Sequence, residues 1–418
     1  MPAKELRLYQ AEAVTHINQD LKENNRASIY LATGMGKTVV AGAIVREFLQ
    51  SKPDAKILVM AHMIDLVEQL HTAFWQDIPN SFPSQIVDGQ NKPELLDGLL
   101  VGVEKSISEY VFDGYQPDLV IIDECHHVGA SNLYSKILDH LGDVPLLGVT
   151  ATPWRGDSFS ISNRFGEPSY VCGIETGMAK GHLAPVDYRL FCDNINWDEI
   201  PSLSENEYSI KELNRRLFLP ERDDKLISEL LKTWNEVSDP KGIIFCQSIA
   251  HANEIVSILR RYDQWKSAEV IHSELDKKSR RQALIRFRSK DCPILISVDI
   301  LNEGVDVPNV NIVCFARVTH SRKIFVQQLG RGLRLAPNKE KVIVLDFAAD
   351  IRRMAAISSL STLIEEERKD VERLDTQNPE LHFTNQAVES LMKEWIKDAA
   401  DLETSDDESR LQFPDLSS

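Results

Sequence analysis

The chain has 418 residues, too many for one ordinary hydrophobic core, and suits two domains with an appendage. Its 43% hydrophobic and 27% charged content is that expected of a soluble globular protein, and no uninterrupted apolar stretch is long enough to span a bilayer. The net charge of −17 excludes a broadly basic nucleic-acid coat, although it leaves room for a local basic channel.

The opening "MPAKELRLYQ" has no apolar region of the kind a secretory leader carries. Cys125, Cys172, Cys192, Cys246, Cys292 and Cys314 include no CxxC pair, so neither a zinc site nor a disulfide framework is indicated. Buried thiols in a reducing, cytoplasmic setting are expected.

Short apolar strands alternate with helical patterns through the first half. Strands are predicted at "SIYLA", "KILVMA", "LLVGV", "DLVIID" and "LLGVT", with helices at "TVVAGAIVREFLQ" and "MIDLVEQLHTAFWQ". Such alternation gives an α/β fold, a parallel sheet covered by helices on both faces, with ligands beyond the carboxyl ends of the strands. Residues 1–153 form this first domain. Residues 154–238 are richer in polar, Gly and Pro residues and are expected to bridge, with helices near 207–236.

The alternation restarts in residues 239–350. "KGIIFC" leads into a helix over Ser248–Arg261, and "AEVIH" into one over Ser279–Arg288; "PILISV", "VNIVCF" and "KVIVLDF" complete the strands. After Asp346 the strands are expected to stop, leaving residues 351–418 as an acidic, mostly helical extension. Within it, "NQAVESLMKEWIKDAADLE" places Val388, Leu391, Met392, Trp395 and Ile396 at helical spacing, a stripe that suits core packing or docking of a protein partner.

Three stretches carry chemistry. "SIYLA" runs into "TGMGKT" and then a helix, the setting of a phosphate-binding loop. Thr33, Gly34, Met35 and Gly36 turn the backbone amides toward an anion; Lys37 reaches the β- and γ-phosphates of ATP, and Thr38 can hold Mg²⁺. The strict pattern wants a glycine where Leu31 stands. In "LVIIDECHH" a strand ends in Asp123, which can complete the Mg²⁺ shell, and Glu124, which can orient and deprotonate water. His126 follows directly and is a candidate sensor of the γ-phosphate; His127 reads as structural. In "QQLGRGLR", Arg331 and Arg334 lie one helical turn apart and can stabilise charge on the γ-phosphate.

Taken together, residues 5–347 resemble superfamily 2 helicases and translocases, which have two tandem RecA-like domains. "LRLYQ" is similar to the adenine-recognising Q motif, which implies Gln10 as a base contact with Arg7 beside it. The family's own phosphate loop, "ATGMGKT", does without the earlier glycine, which removes the objection at Leu31. "DECH" resembles motif II, and "TATP", with Thr150 and Thr152, resembles motif III, which couples hydrolysis to domain movement. "NEGVDVP" resembles motif V, with Gly304 and Asp306 near the nucleotide, and "QQLGRGLR" resembles motif VI, with Gln327, Arg331 and Arg334 facing ATP across the interdomain cleft.

The resemblance implies an ATP- and Mg²⁺-dependent motor acting on nucleic acid, and its details favour DNA, single-stranded or branched, over RNA. "DECH", "TAT" and "QQLGRGLR" are closer to bacterial RadD, the XPB group and restriction-enzyme motors than to DEAD-box RNA helicases. Family strand contacts would fall near Ala61–Met63, Gly102–Ser106, Cys246–Ser248, His272–Ser273 and Val298–Leu301. Two alternatives stay open: an RNA-directed helicase, and an ATP-gated scaffold subunit of a larger DNA-processing complex.

Overall fold

The computed structural model describes residues 5–75, 78–79, 81–88, 93, 96–130, 132–151, 161–191, 207–209, 211–212, 223–298, 309–316, 330, 332–337, 339–347, 352, 380–383 and 410–412. It divides into two compact units, Met1–Ile174 and Glu175–Ser418.

The first unit opens with helix α1 (Leu8–Asn24), followed by β1 (Arg26–Leu31), α2 (Lys37–Ser51), β2 (Ile57–Ala61) and α3 (Ile64–Trp75). β3 (Ser84–Val87), β4 (Leu99–Val103), β5 (Leu119–Asp123), β6 (Leu146–Thr150) and β7 (Tyr170–Cys172) complete its strands. They form one sheet in the order β3-β4-β2-β5-β6-β1-β7, and every pairing is parallel. Parallel strands need covered crossovers, which explains why β2 is buried at all five positions rather than alternating. Along one face Leu58, Met60, Val120 and Ile122 pack with Ile107, Val111, Ile137 and Phe165.

The second unit contains β8 (Val186–Phe191), β9 (Glu207–Ser209), β10 (Gly242–Phe245), β11 (Glu269–Ile271), β12 (Ile294–Ser297), β13 (Ile312–Phe315), β14 (Val342–Phe347), β15 (Glu380–Phe383) and β16 (Arg410–Gln412). Its main sheet runs β11-β12-β10-β13-β14-β8-β15, again all parallel, while β16 pairs antiparallel with β9. Helices Asp223–Glu236, Ile249–Leu259 and Lys277–Arg288 cover it. The latter two start where the side chains of Ser248 and Asp276 accept the His251 and Ser279 amides, at 3.2 and 2.9 Å. In the core, Trp234 and Trp265 meet edge to face at 5.5 Å, and Phe191 stacks on Phe347 at 4.7 Å.

The two RecA-like sheets are thus as expected, and β7 and β8, which fall in the predicted bridge, each join one of them. Two local expectations change. Residues 207–209 are strand rather than helix, and strands do not stop at Asp346, since β15 and β16 follow. These three strands are only three or four residues long, too short for a sequence pattern to mark them, and pairing with their neighbours reveals them. The helix expected over 385–403 lies outside the described residues.

Candidate functional site

Strand order brings the first-unit motifs together. Asp123 on β5 is level with Val149 on β6, and Thr150 on β6 is level with Tyr30 on β1. The phosphate loop, Thr150 and the paired acids therefore leave the sheet side by side at its carboxyl edge.

The loop Ala32–Gly36 turns through positive φ at Gly34 (95°) and Gly36 (85°) before α2 begins. Gly36 is required twice over: its φ is left-handed, and a Cβ there would meet Gln10 Nε2 at 2.6 Å. No side chain caps α2 at Gly36, so the first-turn amides at Lys37 and Thr38 have no acceptor within the helix. An uncapped helix start carrying a lysine is a ready site for a phosphate chain.

Arg7 and Gln10 sit at the start of α1, and Gln10 is buried. The Gln10 side chain accepts from the Arg7 amide at 3.0 Å and donates to the Met35 carbonyl at 2.9 Å. Tyr9 donates its hydroxyl to the same carbonyl at 2.8 Å. The N-terminal motif thus holds the phosphate loop in shape. Tyr9 escaped the sequence reading, although it adjoins Gln10 in "LRLYQ".

β5 ends at Asp123, and Glu124 takes φ 49°, an uncommon value for a residue with a side chain. That turn, followed by the 3₁₀ helix Cys125–Ala130, folds the Glu124 carboxylate back against the loop. Lys37 Nζ donates to Glu124 Oε1 at 2.7 Å. On the other oxygen, Thr150 Oγ1 donates at 3.3 Å, the Ala151 amide at 3.4 Å, and His126 Nδ1 lies at 3.4 Å. His126 Nδ1 also bonds Thr150 Oγ1 at 2.7 Å.

These contacts separate the two acids electrostatically. Burial works against ionised Glu124, but the Lys37 ammonium and His126 outweigh it and hold its carboxyl well below the usual range. Burial, then the charge of Glu124, pushes Asp123 up to about 6. A divalent cation beside Asp123 would offset both causes. Thr38 hydroxyl and Asp123 carboxylate are the hard oxygen donors Mg²⁺ prefers, so the residues fit Mg²⁺·ATP.

In the second unit, Gly332 lies against the sheet, where a Cβ would meet Val313 Cγ2 at 2.6 Å. The carbonyls around it are all engaged. Lys339 Nζ donates to those of Gly332 (2.5 Å) and Arg334 (2.7 Å), and the Ala184 amide to that of Leu333 (2.7 Å). Arg334 is half-buried there. Lys339, unremarked in the sequence reading, is pushed down to about 7 by burial and by the charge of Arg334. Thr152, Gly304, Asp306, Gln327 and Arg331 lie outside the described residues.

A parallel sheet that ends in a phosphate loop beside paired acids, followed by a second parallel sheet, defines the tandem RecA-like class of nucleotide-binding proteins. A domain described as "Type III restriction enzyme, res subunit" matches residues 3–155, and "Helicase conserved C-terminal domain" matches residues 221–336. The chain belongs to the superfamily 2 helicases.

A Schizosaccharomyces pombe protein assigned as mitochondrial ATP-dependent helicase irc3 is 26% identical, over 84% of this chain and 59% of its own length. The type I restriction enzyme EcoAI endonuclease subunit of Escherichia coli is 26% identical, over 82% and 46%. A fragment structure assigned as the HsdR subunit of a type I restriction enzyme from Vibrio vulnificus YJ016 matches with a TM-score of 0.61. Its identity is 25%, covering 84% of this chain and 66% of that one. The chain therefore spans about half the length of the curated relatives it matches. Among the described residues, no helix is long and apolar enough to cross a membrane.

Proposed function

We propose that the chain is an ATP-driven DNA motor, hydrolysing ATP at the loop Thr33–Thr38 to move along or unwind DNA. The observation that carries this is the Glu124 carboxylate, held ionised and gripped by Lys37, His126 and Thr150 at neighbouring strand ends. Mg²⁺·ATP, when bound, supplies the polarised γ-phosphoryl group that water attacks. The chain's own residues do the rest. Lys37 and the first-turn amides of α2 hold the phosphates, Thr38 and Asp123 hold the cation, and Glu124 takes the proton from water.

The resemblance assigns Arg331, Arg334 and Gln327 to hydrolysis, and Gly304 and Asp306 to nucleotide binding. DNA is preferred to RNA because the motif variants are those of restriction motors, and because the EcoAI and Vibrio relatives are named as restriction-enzyme subunits. ATPase rates across single-stranded, forked and duplex DNA and matching RNAs, with and without Mg²⁺, test the reading. Stimulation by DNA is expected. Preference for RNA would reassign the polymer, and hydrolysis indifferent to every strand would overturn the motor.

A further inference from the structure

Residues 332–334 lie close against the second sheet. An added Cβ at Gly332 would meet Val313 Cγ2 on β13 at 2.6 Å and Val342 Cγ1 on β14 at 3.3 Å. Leu333 is fully buried, and its carbonyl accepts from the Ala184 amide at 2.7 Å. Gly332 is helical and Leu333 is not, so a helix ends here, where the last carbonyls have no amide of the same helix to bond.

Lys339 supplies a donor to this end. Its Nζ donates to the Gly332 carbonyl at 2.5 Å and to the Arg334 carbonyl at 2.7 Å. One ammonium bridging carbonyls two residues apart closes a ring through Leu333 and the Arg334 Cα. The torsions inside that ring set the direction in which the Arg334 side chain leaves the backbone. A lysine ordinarily reaches the end of a helix from solvent. This one does so under cover: burial, then the charge of Arg334, pushes its pKa down to about 7.

We infer that Lys339 is a positioning residue for hydrolysis: by gripping the carbonyls of Gly332 and Arg334 it fixes how Arg334 is presented to nucleotide. The inference rests on reading Arg334 as part of the hydrolytic site. Lys339 acts through the backbone it holds, so its loss should slow turnover without loosening nucleotide.

The test is a double-mutant cycle on the full chain, with kcat from steady-state ATPase and affinity from binding of a fluorescent ATP analogue. Lys339→Met, which keeps the side-chain volume, should lower kcat about tenfold and leave affinity within about twofold. Arg334→Ala alone should cost on the order of 10³ in kcat. Adding Lys339→Met to it should cost nothing further, because the residue it serves is gone. Lys339→Ala should be slow as well and recover in propylamine, which replaces the missing methylenes and ammonium. Wild-type kcat in both Lys339 variants overturns the inference, as does a Lys339→Ala chain that propylamine leaves slow. A tenfold loss repeated on top of Arg334→Ala, or affinity falling in step with kcat, also overturns it and makes Lys339 a support of the fold at large. Wild-type hydrolysis by Arg334→Ala is distinguishable from all of these and removes the premise that Arg334 belongs to the site.

Discussion

Lys37 Nζ is held 2.7 Å from Glu124 Oε1, with both side chains nearly buried. The cation proposed to hold phosphate and the carboxylate proposed to activate water therefore neutralise each other. A phosphate chain must compete with Glu124 for Lys37, and success frees the carboxylate to turn toward water. Lys37→Ala should abolish hydrolysis and, without nucleotide, leave a buried carboxylate short of its cation. Urea unfolding should show a loss of about 3 kcal/mol, as for other broken buried pairs. Retained ATPase would refute the assignment.

Glu124→Gln separates binding from chemistry. Asp123, Thr38 and Lys37 remain, so Mg²⁺·ATP should bind with near wild-type affinity, while turnover drops by about 10²–10⁴. Equilibrium binding of a fluorescent ATP analogue beside single-turnover hydrolysis gives both numbers. Rapid turnover would place the base elsewhere.

Arg331→Ala and Arg334→Ala address the second unit. Nucleotide affinity should be largely spared, because the phosphate loop and both acids belong to the first. Hydrolysis should fall on the order of 10³, the usual yield of an arginine acting on the γ-phosphate. Normal strand-stimulated hydrolysis in both variants would leave the arginines as strand contacts or a solvated face.

Lys339 makes stability in the second unit pH-dependent in a definite direction. Its folded pKa, about 7, lies below the ordinary value of 10.5, so between those values the unfolded chain binds the extra proton. Stability from this group is therefore lowest below pH 7 and rises as pH climbs through that window. Melting temperatures of wild type and Lys339→Met, compared at pH 6.5 and pH 9, should show the wild type gaining on the variant. Parallel behaviour would mean the ammonium is not buried as drawn.

Removing residues 361–418 deletes β15 and uncovers the outer edge of β8. Aggregation on heating should increase in the truncated chain, as expected of an unpaired strand edge, and light scattering would reveal it.

The candidate site in the first unit was legible because its residues sit in short runs: strand, loop, helix at Leu31–Lys37, and strand, acid, acid at Leu119–Glu124. Continuous apolar runs likewise announced β2, β5 and β14. β8 was missed because Asp187 and Arg189 interrupt its apolar residues. The structure reconciles these charges partly with each other, at 2.9 Å, and partly by long-range pairing, Arg189 with Glu236 at 2.7 Å and Asp187 with Lys341 at 2.8 Å. No local pattern encodes Glu236 or Lys341 as those partners.

The parallel neighbours of β8 have a consequence for synthesis. Both strands that flank it, β14 and β15, lie later in the chain, the nearer beginning at Val342. With ribosomes adding ~5–20 residues per second, Phe191 waits on the order of ten seconds before its first sheet partner exists. Through that interval Val186, Tyr188, Leu190 and Phe191 are without the strands that flank them in the fold. Asp187 and Arg189, spaced between them, put two charges in that apolar run, which is how natural sequences guard an exposed strand against aggregation.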